Sequence, residues 1–167
     1  MDISRITAKL MVVASLLVAT AAAAVEEPNW IVAEGRESGN RVIFKFLGEM
    51  PEPEARAKMG VLTVIAWKYD GAANEGLPPA TDRERMNTLE DTLDLIDADI
   101  LKPAFSRTGN NLKELAYYIG DRERFLASLN RVLRGHDRYP IEISFYEDPQ
   151  WRELEQFIDS VSHAEAP

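Results

Sequence analysis

Two periodicities divide most of the chain into elements. In Asn29–Leu47, "NWIVAEGRESGNRVIFKFL", Val42, Phe44 and Phe46 alternate with Arg41 and Lys45, and two β-leaning runs flank Glu37-Ser38-Gly39-Asn40, which predicts a β-hairpin. The next segment, "GEMPEPEARAKMG" from Gly48 to Gly60, carries two prolines and many charges and reads as a surface connection. "VLTVIAWKY", Val61 to Tyr69, is apolar at neighbouring as well as alternate positions, the pattern of a central strand buried on both faces. A Gly-, Pro- and Asn-rich loop, Asp70 to Ala80, separates it from the next periodic segment.

Met86, Leu89, Leu93, Ile96 and Ile100 recur at three- and four-residue steps and predict a helix that runs until Pro103 forbids continuation. Thr81-Asp82-Arg83-Glu84 has the form of a capping box for its start. Ala104 to Gly120, "AFSRTGNNLKELAYYIG", predicts a second hairpin turning at Gly109-Asn110-Asn111, residues that tolerate positive φ. Asp121 is placed to cap a helix with Phe125, Leu129, Val132 and Leu133 on its buried side, and Gly135 to end it. Ile141, Ile143 and Phe145 then alternate with Glu142, Ser144 and Tyr146 as a last strand. From Asp148-Pro149-Gln150-Trp151 a further helix is expected, with Asp148 as cap, Pro149 in the first turn, and Trp151, Leu154, Ile158 and Val161 as its apolar stripe.

From Val61 onward the order is strand, helix, strand, strand, helix, strand. This predicts an α+β fold of the ferredoxin-like, split βαβ kind, with an added N-terminal hairpin and C-terminal helix. Both helices of such a fold pack on one sheet face, so the other is expected to be free or covered by the hairpin.

The first 24 residues do not fit that domain. Arg5 and Lys9 precede the apolar run Leu10–Ala24, "LMVVASLLVATAAAA", and Ala21 to Ala24 offer small residues for cleavage, the pattern of a secretory signal peptide. The run is shorter than the roughly 20 residues a membrane span needs. The expectation is an exported single domain, residues 25–167 with a short disordered tail, that works in the bacterial periplasm or outside the cell and has no membrane span after cleavage. No cysteine is present, which removes disulfides, thiolate metal sites and a cysteine nucleophile. With 28 Asp plus Glu against 19 Lys plus Arg the chain repels phosphate backbones, so nucleic acid is not the expected partner.

Candidate chemistry is sparse. His136 lies in the loop "RGHDRYP" and His163 in the polar tail, and no Gly-x-Ser-x-Gly elbow accompanies either. Glu90, Asp94 and Asp97 share one helix side, with Asp91 and Asp99 nearby, and read as a solvated face because they lack the glycine and terminal Glu of an EF-hand loop. No catalytic residue, metal site or cofactor is therefore assigned. The aromatics carry more: if Ile141, Ile143 and Phe145 face the helices, strand parity puts Tyr146 and Tyr118 on the opposite face. Trp67 and Tyr69 join them as candidate binding residues on a central strand whose face is undecided. Asp148, Pro149 and Trp151 are read as a structural motif.

"RTGNNLKELAYYIGD" at Arg107 to Asp121, "YPIEISFYEDPQW" at Tyr139 to Trp151 and the upstream "NWIVAEG" together resemble the bacterial family catalogued as domain of unknown function 695. The likeness spans nearly the whole chain after the leader; the Gly48–Gly60 connection and the leader itself depart from it. The family supplies no catalytic residues. Some members are similar to, or joined with, proteins resembling the acidic regulator of ribonuclease E activity, an inhibitory binding module, and that resemblance implies protein binding rather than catalysis. An exported chain could not meet a cytoplasmic ribonuclease. The expected function is thus a non-enzymatic module that binds a protein or peptide partner in the bacterial envelope; the alternative is a hydrolase using carboxylates or His136, with or without a metal.

Overall fold

The computed structural model describes residues 28–162; the leader, His163 and the C-terminal tail lie outside them, as does the side chain of Val161. Strands β1 (Trp30–Glu37) and β2 (Asn40–Leu47) form the first hairpin. It turns on Ser38 and Gly39, both at positive φ (50° and 84°), as the twist of a two-residue hairpin loop demands. After a short helix α1 (Pro53–Lys58) come β3 (Val61–Lys68), α2 (Ala80–Leu93), β4 (Lys102–Gly109), β5 (Leu112–Ile119), α3 (Arg122–Val132), β6 (Ile141–Glu147) and α4 (Arg152–Ser162). The strands build one six-stranded sheet in the order β1-β2-β4-β5-β3-β6, and each neighbouring pair is antiparallel. The result is a mixed α/β domain. β3 is hydrogen-bonded on both sides, by β5 and β6, which explains why its sequence is apolar on both faces.

Two cores lie on opposite faces of the sheet. Ile65 and Trp67 of β3 and Leu115, Tyr117 and Ile119 of β5 meet Met86, Leu89 and Leu93 of α2 and Phe125 and Leu129 of α3. On the other face Leu62, Ala116 and Tyr118 meet Trp151 and Leu154 beneath α4, in a cluster that also holds Phe46, Leu47, Met59 and Ala104. α3 begins as expected: the Asp121 carboxylate accepts from the Arg124 amide at 2.7 Å.

Three expectations are corrected and one is refined. The hairpin does not fold over the second face; β2 pairs with β4 and widens the sheet, and α4 is what covers part of that face. The Gly48–Gly60 connection contains α1, started by Pro53, whose fixed φ suits the first turn. α2 begins one residue ahead of Thr81, with Pro79 as N-cap and no side-chain cap bond, so the capping box is not formed.

α2 also ends at Leu93, not near Pro103. Leu95 and Ile96 bond back three residues, to Thr92 and Leu93, and Ile100 bonds to Asp97. These tight turns preserve a three-to-four-residue spacing, so Ile96 and Ile100 remain buried after the helix has stopped. Pro103 sits inside β4, where the register with β5 is interrupted between Pro103 and Phe105; at such an irregularity a missing N–H is tolerated.

The loop after β3 is tied down between the two hairpin turns. The Gly76 carbonyl accepts from the Tyr69 hydroxyl at 2.9 Å and from the Asn111 amide at 3.0 Å, while Asn40 Nδ2 donates to Asn110 Oδ1 at 2.8 Å. Gly76 has φ of 83°, and a Cβ there would stand 2.8 Å from Asn40 Cβ and 3.0 Å from the Asn110 nitrogen. Gly76→Ala is expected to cost about 2 kcal/mol, above the usual glycine-to-alanine effect because both backbone and contacts oppose it. Urea unfolding should show a lower midpoint at unchanged slope; an unaltered midpoint would show that the loop yields without loss.

Candidate functional site

The stretch that joins β6 to α4 shapes the second face. Asp148 leaves β6 with its amide bonded to the Gly60 carbonyl at 2.9 Å, and the Trp151 amide bonds back to the Asp148 carbonyl at 3.0 Å, closing a turn over Pro149 and Gln150. Trp151 has φ of 58°, so helix α4 begins only at Arg152, three residues later than Pro149 as the first helical residue implies. The Asp148 carboxylate nevertheless serves the helix, accepting from the Arg152 amide at 3.0 Å and the Glu153 amide at 3.2 Å. It also accepts from the Tyr118 hydroxyl at 2.6 Å. A left-handed backbone is costly for a large side chain. Here it aims the Trp151 ring onto Tyr118, 3.7 Å between centroids and within 10° of parallel, with the indole N–H donating to the Met59 carbonyl at 2.7 Å.

From this anchor α4 crosses to the hairpin side, where Phe157 packs on Phe105, Phe46 and Phe44 at 4.5, 5.6 and 5.8 Å. Beside the helix a cleft of about 700 Å³ stays open. Its floor is Leu62, Val64 and Phe105; Arg152, Glu153, Gln156 and Phe157 form the α4 wall; Arg107, Glu114 and Tyr146 bring polar groups from the sheet. Arg107, opposite Glu114 in the β4–β5 register, is largely buried and ion-paired with Glu37 of β1, and its Nη1 donates to the Gly109 carbonyl at 3.4 Å. The hydrogen-bonded guanidinium holds the Glu37 carboxyl below its ordinary range, against an opposing effect of burial.

The aromatic candidates separate. Tyr146 is 54% exposed and lines the cleft. Tyr118 lies on the same face but is fully covered, by Trp151. Trp67 is buried on the α2 side, 5.7 Å from the Tyr139 ring and with the Arg85 guanidinium 5.2 Å from its own. Tyr69 packs against that same core and spends its hydroxyl on Gly76. The parity argument therefore brings one open tyrosine to the cleft, not two. Sequence reasoning passed over Arg107 and Arg152. A charged residue at an inward position between Phe105 and Gly109 was the available signal for the first.

The other candidates lie apart from the cleft. His136 is exposed, its Nδ1 3.0 Å from the Tyr139 hydroxyl. Glu90 is bridged by Lys113 at 2.6 Å and Asp99 by Arg124 at 2.8 Å. No group of three or more His, Asp or Glu that could hold a metal ion occurs among the described residues. None of their helices is long and apolar enough to cross a membrane.

An antiparallel sheet with helices on both faces and an amphipathic cleft beside the last of them defines a small mixed α/β domain with an open concavity beside α4. The chain belongs to the family described as a family of unknown function, DUF695, which matches residues 28–158. No curated protein matches it.

Two outcomes test the anchor. Asp148→Ala removes a helix cap and leaves a buried tyrosine hydroxyl unpaired, and is expected to cost about 2 to 4 kcal/mol. Trp151→Ala should cost about 3 to 5 kcal/mol, as truncated buried aromatics do. Chemical denaturation measures both, and near-wild-type stability of either variant would refute the anchor.

Alkaline pH probes the same packing. Burial pushes the Tyr69 hydroxyl up to about 12 and raises Tyr117 and Tyr118 further, the latter also through the Asp148 carboxylate it donates to. In the unfolded chain these phenols ionise near pH 10. The folded state favours their neutral forms, so their contribution is complete below about pH 10 and is lost as pH rises through the folded values. Phenolate absorbance and circular dichroism followed together should show these tyrosines ionising with unfolding; their full ionisation in a still-folded protein would contradict the packing.

Proposed function

We propose that this protein is an exported, non-enzymatic binding module of the bacterial envelope that holds a peptide segment of a partner protein in the cleft beside α4. The observation that carries this reading is the lining of that cleft: an apolar floor of Leu62, Val64 and Phe105, with Tyr146 at its edge and charges of both signs, Arg107, Arg152, Glu114 and Glu153, around it. Such a lining suits an apolar side chain flanked by polar backbone and mixed charge. The acidic chain, with a net charge of -9, is a poor surface for phosphate polymers. Export rests on the leader pattern of Arg5, Lys9 and Leu10–Ala24. For the fold, β3-α2-β4-β5-α3-β6 with spatial order β4-β5-β3-β6 supports a ferredoxin-like unit to which β1, β2 and α4 are additions.

Tyr146 is the residue to replace. A photo-crosslinking aromatic at this position, in cells, should trap a discrete partner from the envelope fraction, and Tyr146→Ala should weaken capture while changing stability by no more than about 0.5 kcal/mol. The captured chain should have lost about two dozen N-terminal residues. Crosslinks absent at Tyr146, or equal in yield to those from a probe at exposed Val32 on β1, would remove the cleft from the proposal.

A further inference from the structure

A second concavity lies on the opposite sheet face, where α2 stops short of the hairpin. It encloses about 280 Å³ between Trp30 and Lys45 of the hairpin, Glu90 and Asp94 of α2 and its cap, and Ser106 and Tyr117 of the second hairpin. The Lys45 ammonium rests over the Trp30 ring, 4.6 Å from its centroid. Tyr117 is only 7% exposed, lines the pocket, and its hydroxyl makes no hydrogen bond among the described residues. That hydroxyl is not sealed: Thr63 Oγ1 is the buried side-chain polar atom without a partner among the described residues, whereas the Tyr117 hydroxyl opens onto the pocket with its hydrogen-bonding capacity unused.

Glu90 is bridged by Lys113, but Asp94 has no ion pair among the described residues. Burial raises the Asp94 carboxyl above its ordinary value, and Asp91 and Glu90 raise it further, with Lys45 only partly opposing them. Burial, then Glu90 and Asp94, push the Tyr117 hydroxyl up as well, and all three residues line the same pocket. An aromatic face, an unpaired carboxylate and an unused hydroxyl thus converge on one small space. An ammonium group has three donors and no acceptor, and it is attracted to the face of an indole.

We propose that this pocket is a binding site for a primary alkylammonium group, a lysine side chain or a free amine, which takes the place of Lys45 over Trp30 and donates to Asp94 and Tyr117. Lys45 is then an internal stand-in: its own alkylammonium shows that the chemistry fits. Ser106 offers a further acceptor at the wall. The site is independent of the α4 cleft, on the other face of the sheet.

The test is a titration of the purified protein with Nα-acetyl-lysine methylamide, followed by NMR through the Trp30 indole signal, with n-butylamine and Nα-acetyl-norleucine methylamide in parallel. Saturable shifts with both amines and none with the norleucine compound are expected. Tighter binding of the lysine compound assigns the site to a protein-borne lysine, and tighter binding of butylamine to a free amine. Asp94→Asn and Tyr117→Phe should each weaken the amines several-fold, and Lys45→Met should strengthen them several-fold by removing the internal competitor. Asp94 is exposed, so its replacement keeps the fold. Shifts of equal size with norleucine, or affinities unchanged in both Asp94→Asn and Lys45→Met, would overturn the proposal.

Discussion

The second face of this protein depends on one buried carboxylate. Asp148 accepts from Tyr118 of β5 and from the first two amides of α4, so a single side chain joins the middle of the sheet to the start of the last helix. A buried charge is tolerable only when hydrogen-bonded, and these bonds also satisfy donors that a helix start leaves without partners. Trp151, forced into a left-handed backbone conformation, gives back what that costs by stacking on Tyr118 and bonding to Met59. Because the helix is pinned at this end by Trp151 and further along by Phe157 on Phe105, its line across the sheet is set. So is the strip of sheet it leaves bare, and that strip is the cleft.

Width explains why open space exists at all. Strands lie about 4.8 Å apart. A helix with its side chains is about 10 Å across, so α2 and α3 together cover about four strands. The first hairpin adds two more to the sheet. On the α2 side the extra width leaves β2 and β4 partly bare beside the helix, which is where Trp30, Lys45 and Tyr117 surround a pocket. On the other side α4 alone covers still less, and the larger cavity results. The pocket beside α2 therefore arises from the edge-paired hairpin, whereas the cleft lies over β3 to β6, on the part of the sheet that α4 leaves uncovered. Had the hairpin folded over the second face, one of the two arrangements expected from sequence, it would have filled the cleft.

What the sequence disclosed is what local physics controls. Strand alternation in Ile141, Ile143 and Phe145, the positive-φ turn Gly109-Asn110-Asn111 and the Asp121 cap all depend on near neighbours, and each is found in place. The end of α2 was hidden because turns with i to i+3 bonds mimic helical spacing, so that buried Ile96 and Ile100 prolonged the stripe. The start of α4 was displaced because Asp148 caps from four residues ahead of the first helical residue, across a turn that local pattern does not distinguish from a first helical turn. Tyr118 was beyond reach for a different reason: its partner is 30 positions away, and parity states which face a ring is on but not what lies above it.

The two tyrosines of that face differ only in how far they stand from the helix anchor. β3 pairs Leu62 with Tyr118 on one side and with Tyr146 on the other, so the three residues form one row across the sheet. Tyr118, on the interior strand β5, lies within reach of Trp151 and is sealed. Tyr146, on the edge strand β6, lies beyond the span of a single helix. An edge strand also keeps one side of its backbone unpaired. The exposed ring and the cleft floor therefore occur together for one reason, that the last helix is anchored on β5 and runs toward the hairpin rather than toward β6; beside them, no strand among the described residues pairs with the outer side of β6. The direction of α4, fixed by Asp148, thus decides that the ring and the floor stay open side by side.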